Sequence, residues 1–128
     1  MKYLVDTHVL IWAVLDSERL SEKARHLLLD ATAEHYFSPV SVWEIAIKRA
    51  KNPDLLPFSA DTARDLFLAA GFAELEIAAT ACAAVETLPP IHADPFDRLL
   101  VAQAKTAGLT LLTHDRLLAP YGDFILKV

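Results

Sequence analysis

The sequence contains little cysteine and little glycine, with one cysteine and three glycines among 128 residues. A lone cysteine cannot form a disulfide within the chain. So little glycine, together with 54% hydrophobic residues, excludes an intrinsically disordered chain. Charged residues interrupt every apolar run well before the ~20 residues that a membrane-spanning helix needs. A chain of this length buries about two-thirds of its unfolded surface. We therefore expect one soluble globular domain over residues 1–128.

The first residues also lack the features of a signal peptide. Only Lys2 is basic, and Asp6 interrupts the short apolar run that follows it. We therefore expect a cytoplasmic protein with no membrane contact. Cys82 lies in an alanine-rich segment, where a small apolar thiol is expected to pack in the core rather than to act as a nucleophile. The net charge of −5 argues against a broad basic surface for nucleic acid.

Segments typical of strands alternate with segments typical of helices. The first strand candidate ends at Asp6 and Thr7, which are both good helix N-caps. Asp94 and Pro95 give another helix a cap and a proline in its first turn, and Gly108 ends that helix. Pro39 is predicted to end a strand. The same signals predict strands at residues 2–5, 36–37, 72–77, 109–113 and 124–128. They predict helices at residues 7–15, 41–50, 60–70 and 95–107, a helix that begins at residue 21, and an alanine-rich helix that ends at about residue 88.

This alternation predicts an α/β fold with a central, mostly parallel sheet of four to five short strands and helices on both sides. In such a sheet, strand C-termini and helix N-termini share one edge, where ligands usually bind. Four acids are predicted to lie there. Asp6 and Asp115 each follow a strand, while Glu44 and Asp97 each lie in the first turn of a predicted helix.

Each acid also has an ordinary structural interpretation. Asp6 suits a helix cap, and Asp115 suits a turn. Glu44 completes a capping box with Ser41, and Asp97 suits the positive end of its helix dipole. Taken together, however, four clustered carboxylates repel one another and raise one another's pKa unless a cation lies between them. The cluster therefore predicts a functional site.

Carboxylate oxygens without a cysteine or histidine pair at metal spacing suit Mg²⁺ or Mn²⁺ rather than Zn²⁺, bound as one or two ions. Such ions lower the pKa of bound water and stabilise charge on phosphoryl oxygens. Nucleases use this chemistry, and so do phosphatases and phosphotransferases. The cluster by itself leaves these classes open.

Four segments carry a more specific signal. Residues 3–12 read YLVDTHVLIW, residues 38–45 read SPVSVWEI, residues 92–100 read HADPFDRLL, and residues 111–115 read LLTHD. In this order and spacing, the chain resembles PIN-domain toxins of the VapC type over essentially its whole length. The resemblance implies a PIN-like domain.

Residue by residue, the resemblance places the catalytic, metal-binding acids of the family on Asp6, Glu44, Asp97 and Asp115. It implies an endoribonuclease that depends on Mg²⁺ or Mn²⁺ and cleaves RNA, with translation arrest as the cellular outcome. It also implies a homodimer and a cognate antitoxin protein whose C-terminal segment covers the site.

Residues beside these acids have supporting roles in the prediction. Asp94 is expected to cap its helix beside the site, although it lies one turn from Asp97 and could reach the same metal. Thr113 is predicted to hydrogen-bond a site carboxylate. Arg98 and Arg116 each follow a proposed ligand and are predicted to contact a phosphate of the substrate.

Four aromatic side chains receive no catalytic role from the sequence. His8 and His92 fit the family pattern, but packing or capping explains them. Trp12 and Trp43 lie on apolar helix faces, where core anchoring is favoured over base stacking.

Three alternatives compete with the toxin. A PIN nuclease of RNA processing without an antitoxin predicts the same acids, whereas an inactive PIN-like interaction module does not explain the complete set. A phosphoaspartyl enzyme is disfavoured because His8, rather than a second acid, stands two residues after Asp6. The acidic net charge is compatible with RNA because bound cations reverse the field at the site.

Overall fold

The computed structural model describes residues 1–128 and contains one five-stranded sheet. All four pairs of neighbouring strands are parallel, in the order β3-β2-β1-β4-β5. This confirms the predicted parallel α/β fold. The strands are β1 (Lys2–Val5), β2 (Glu34–Phe37), β3 (Ala73–Glu74), β4 (Thr110–Thr113) and β5 (Ile125–Lys127).

Six α-helices flank the sheet, with two 3₁₀ turns at Val85–Thr87 and Arg116–Tyr121. Most of the helices begin at a residue whose side chain accepts a backbone N–H bond, as at Asp6, Ser21 and Ser59. None is long and apolar enough to span a bilayer. The helices are α1 (Thr7–Val14), α2 (Glu22–Leu28), α3 (Pro39–Lys51), α4 (Ala60–Ala69), α5 (Ala79–Ala84) and α6 (Pro95–Ala107).

Both faces of the sheet are covered, because successive residues of a strand point to opposite sides. In β1, Tyr3 and Val5 join one apolar cluster, which includes residues of α1, α3 and α4. Leu4 joins the other cluster, which includes Leu100 and Val101 of α6. The central strands β1 and β4 are thereby held between two cores, which fixes the edge at which they end.

The start of α3 differs from the prediction. The helix begins at Pro39 rather than at Ser41, and its cap is Ser38, whose hydroxyl accepts from Val40 N–H. Proline suits this first position because it has no N–H to leave unpaired. Ser41 and Glu44 therefore do not form a capping box, and Glu44 lies in the second turn instead of the first.

Two side chains predicted to be buried are exposed. Cys82 lies on the outer side of the short helix α5, which buries only Ala81. Trp43 is 56% exposed and contacts Phe96 edge-on, with ring centroids 5.0 Å apart. The core assignment was wrong for both residues.

The strand predicted at 72–77 is also shorter than expected, because it contains only the two residues of β3.

Candidate active site

The site begins where the central strands β1 and β4 end side by side. The backbone N–H of Asp6 donates to the carbonyl of Leu112 at 3.0 Å. Thr113, the last residue of β4, donates its hydroxyl to Asp6 Oδ2 at 2.5 Å and accepts from the N–H of Asp115 at 3.0 Å. Thr113 thus makes the predicted bond to a site carboxylate and links Asp6 to Asp115.

Glu44 approaches from α3. Its side chain is buried, and Thr7 donates a hydroxyl hydrogen bond to Oε1 at 2.8 Å. Lys48, one turn further along the helix, donates to Oε2 at 2.5 Å. The pair is partly buried rather than fully exposed, because the Lys48 side chain is 43% accessible and that of Glu44 is 4% accessible. Glu44 is therefore held at both oxygens.

Asp97 and Asp115 meet at His92, a residue for which packing or capping was the predicted role. His92 Nε2 lies 3.0 Å from Asp115 Oδ2 and 3.6 Å from Asp97 Oδ2. The N–H of Asp94 donates to His92 Nδ1 at 3.1 Å, so the neutral ring carries its proton on Nε2 and donates it to Asp115. The ligating atoms of His92, Asp97 and Asp115 all lie within 4.8 Å of one another. Sequence spacing gave no signal for this contact, which joins residues 23 apart.

Burial and mutual repulsion raise the pKa of two of the acids, Asp6 and Asp97. Burial raises the pKa of Asp6 above its usual value, and the hydrogen bonds from Thr113 and Val9 only partly oppose this. Burial and then the charges of Asp94, Asp6 and Glu44 raise the pKa of Asp97 to about 7, against the opposing effect of His92. A cation between these groups would relieve the repulsion.

An open cleft of about 790 Å³ gives access to these acids, and Asp6, Asp97 and Asp115 line it. Glu44 lines an adjoining cavity of about 270 Å³, and His8, Trp12 and Arg19 border both spaces. The structure therefore brings the four predicted acids to one sheet edge, three in one cleft and one beside it. Arg116 also lines the larger cleft, as a phosphate contact requires.

Arg98 does not line the cleft, which corrects the predicted phosphate contact. Its guanidinium instead donates to the hydroxyl of Tyr121 at 3.1 Å and to four main-chain carbonyls. Tyr121 in turn accepts from the N–H of His92 at 3.0 Å. Arg98 therefore holds the loop that carries His92. The four carbonyls belong to Val85, Leu88, Pro89 and His92.

Asp94 acts as the N-cap of α6. Its Oδ1 accepts from the N–H groups of Phe96 and Asp97, at 2.8 and 3.4 Å. The predicted cap is present, and Asp94 affects the site through its charge on Asp97.

The fold and the site together define a class of α/β protein that holds a carboxylate cluster at the C-terminal edge of a parallel sheet. The family model for the PIN domain matches residues 3–122. The chain therefore belongs to the PIN domain family, which is a family of nucleases.

Solved structures of similar fold come from bacterial toxin–antitoxin systems. VapBC2 from Rickettsia felis bound to a promoter DNA fragment matches with a TM-score of 0.73 at 15% identity, over 100% of this chain and 98% of that one. DNA-bound VapBC from Salmonella typhimurium matches with a TM-score of 0.72 at 17% identity, over 99% and 98%. A toxin–antitoxin complex from Klebsiella pneumoniae gives 0.69 at 17% identity, over 98% and 96%. A comparison with curated sequences finds no match. At these identities the agreement shows a shared fold.

Proposed function

We propose that the protein is a metal-dependent endoribonuclease that hydrolyses RNA phosphodiester bonds. The convergence of Asp6, Glu44, Asp97 and Asp115 at one sheet edge carries the proposal. Burial and then the repulsion from neighbouring carboxylates raise the pKa of Asp97 to about 7. Neither Asp6 nor Asp97 forms an ion pair with a lysine or arginine, so this repulsion has no permanent counter-charge. Membership of the PIN family supports nuclease chemistry over phosphatase or phosphotransferase chemistry.

The donor set fits Mg²⁺ or Mn²⁺, as one or two ions held by Asp6, Asp97, Asp115 and Glu44. These side chains offer carboxylate oxygens, the ligands that hard divalent cations prefer. When bound, the metal supplies charge stabilisation at a phosphoryl oxygen and a lowered pKa for water.

The chain's own residues hold the carboxylates in place. Thr113 fixes Asp6, His92 fixes Asp115, and Thr7 together with Lys48 fixes Glu44. Hydrogen bonds of this kind orient metal ligands and reduce the reorganisation needed during the reaction. We assign Arg116, beside Asp115 in the cleft, to a phosphate of the substrate.

We further propose that the protein is the toxin of a toxin–antitoxin pair and that its RNA cleavage arrests translation. The fold shared with three toxin–antitoxin complexes supports this role. The cavity beside Glu44 is lined by five hydrophobic residues and suits an apolar segment of an antitoxin. A basic side chain of that segment would neutralise the acid cluster. The toxin is expected to act as a homodimer, which exposed apolar side chains such as Trp43 and Leu117 would favour.

The nuclease is tested by incubating the purified chain with RNA in Mg²⁺, in Mn²⁺ and in chelator. We expect cleavage only with metal, and its loss in Asp6→Asn and in Asp97→Asn because each substitution removes an anionic ligand. Asp61→Asn, which changes an exposed acid in the first turn of α4, serves as the charge-matched control. Retention of most activity by both site variants would contradict the assignment. RNA binding without cleavage in any metal would identify an inactive interaction module.

The toxin role is tested separately by inducing the chain alone in cells and mapping RNA 5′ ends. We expect growth arrest and new ends that are absent with Asp97→Asn. Cleavage in vitro without arrest or new ends in cells would favour a processing nuclease that has no antitoxin.

A further inference from the structure

One lysine lies beside the acids and is already bound to one of them. Lys48 Nζ donates to Glu44 Oε2 at 2.5 Å, and the two residues lie one turn apart on α3. The Glu44 side chain is buried, whereas the carboxylates of the other lysine and arginine ion pairs are 58–85% accessible. Lys48 therefore makes the one such pair whose carboxylate is shielded from solvent, where screening of its charge is weakest.

Both oxygens of Glu44 accept hydrogen bonds from the chain itself. Lys48 donates to Oε2, and Thr7 donates to Oε1 at 2.8 Å. The hydroxyl of Thr7 also lies 2.9 Å from that of Ser41, which is fully buried. The structure leaves no buried side-chain polar atom without a hydrogen-bond partner. Protein groups alone therefore satisfy the Glu44 carboxylate.

Glu44 and Lys48 face a different space from the other acids. Both line the smaller cavity of about 270 Å³, and neither lines the larger cleft. Asp6, Asp97 and Asp115 line the larger cleft, and none of the three forms an ion pair with a lysine or arginine. The carboxylate cluster thus has one side that already holds a cation and one side that does not.

The ammonium group of Lys48 stays charged in this position. Partial burial opposes the charged form, but the hydrogen bond and the charge of Glu44 raise the pKa of Lys48 above its usual value. The charges of Asp94 and Asp97 add to this effect at longer range. Since like charges repel more strongly where water is excluded, a divalent ion that approached Glu44 would be repelled by the ammonium.

We propose that the Lys48 ammonium takes the place of a second metal ion at Glu44, so that the four carboxylates bind one divalent cation rather than two. Asp6, Asp97 and Asp115 are available to the first ion. Glu44 is the remaining carboxylate of the four for a second ion, and a positive charge already lies 2.5 Å from its Oε2. This inference rests on the proposed metal-dependent nuclease and adds to it the number of ions and the residue that determines it.

The number of bound ions is measured by calorimetric titration with Mn²⁺ and by the EPR spectrum of the bound Mn²⁺, which distinguishes a single ion from a coupled pair. The parent should bind one ion per chain. Lys48→Met removes the charge but keeps an apolar stem, so it should bind two ions, with the affinity for the second raised about tenfold or more. Lys48→Arg keeps the charge and should bind one.

Two controls separate the site from a general loss of charge. Lys2→Met removes the lysine of the exposed pair with Glu34, at 3.6 Å, and should leave one ion per chain. Glu44→Gln added to Lys48→Met should return the number to one, because the second ion loses its carboxylate. Lys48→Gln, whose amide can still donate to Glu44, replaces Lys48→Met if circular dichroism shows that Lys48→Met does not fold.

Two ions in the parent, or one ion in both the parent and a folded uncharged variant, would overturn the proposal and leave Lys48 as a helix pair that stabilises α3. Cleavage of RNA with metal by that same parent would leave the proposed nuclease intact. One ion in the parent and two in Lys48→Met, in a chain that cleaves no RNA in any metal, would support the internal cation and contradict the nuclease. Absence of Mn²⁺ binding in every variant would overturn both.

Discussion

The burial of Asp97 among other carboxylates has a stability cost that one substitution removes. The pKa of Asp97 rises from 3.8 to about 7 in the folded protein, mainly through burial and then through the charges of Asp94, Asp6 and Glu44. The folded state therefore binds more protons than the unfolded state between about pH 4 and pH 7. Consequently, the free energy of unfolding of the metal-free parent falls as the pH rises through this window. The cost is fully present above pH 7 and absent below pH 4.

The size of this cost follows from the pKa shift. The rise of the Asp97 pKa from 3.8 to about 7 corresponds to roughly 4 kcal/mol, because each tenfold change in an equilibrium constant is worth ~1.4 kcal/mol. The Asp97 side chain is 21% exposed, so solvent screening reduces this upper limit, and we expect about 1–2 kcal/mol. Loss of the carboxylate from the first turn of α6 opposes the gain by about 0.3–1 kcal/mol, because a negative charge there favours the helix dipole.

We therefore expect Asp97→Asn to be inactive and, in chelator at pH 8, as stable as the parent or up to about 2 kcal/mol more stable. The advantage should vanish toward pH 4, where the parent carboxyl is protonated. Urea unfolding of both proteins at several pH values measures the difference, with Asp61→Asn as the charge-matched control that retains Asp97. Mn²⁺ or Mg²⁺ at a hundred times its dissociation constant should stabilise the parent by about 2.7 kcal/mol and the variant by less.

One combination of results would refute this reasoning. If Asp97→Asn is less stable than the parent at every pH in chelator, and metal stabilises neither protein, then the carboxylates act as structural caps. The proposed nuclease would then lose its physical basis.

Two further substitutions test how the site is held. His92→Gln keeps a donor toward Asp115, whereas His92→Asn keeps only an acceptor for the Asp94 N–H. The Asn variant should therefore lose about 10–100-fold in Mn²⁺ affinity measured by calorimetry, and the Gln variant less. Equal losses would argue against the Asp115 contact. Arg98→Ala should lower the free energy of unfolding by about 2–3 kcal/mol in urea, because a charged donor to several carbonyls is lost. The salt dependence of RNA binding should be the same in Arg98→Ala as in the parent. A variant as stable as the parent, with a reduced slope of log K against log salt, would instead indicate that Arg98 contacts a phosphate.

Local patterns in the sequence determined much of the fold and the edge on which the acids lie. The cap at Asp94, the proline after it and the glycine at 108 define α6 through contacts within a few residues, and the structure reproduces them. Asp6 likewise follows β1 and caps α1 by local hydrogen bonding. Capping and side-chain periodicity depend on the chain next to each residue, so they can be read without knowing what packs against it.

Only the tertiary structure decided how individual side chains are used. Ser38 is buried, and its hydroxyl donates a hydrogen bond to the side chain of Gln103, 65 residues away, at 2.5 Å. This long-range contact holds Ser38 as the cap of α3, so the helix begins at Pro39 rather than at Ser41. Arg98 follows Asp97 directly, yet it points to the carbonyls of another loop rather than into the cleft. His92 reaches Asp115 only because the loop before α6 lies against the turn after β4. Such orientations arise when elements distant in sequence pack together, and the same packing determines which side of Trp12 faces the core and which side faces the cleft.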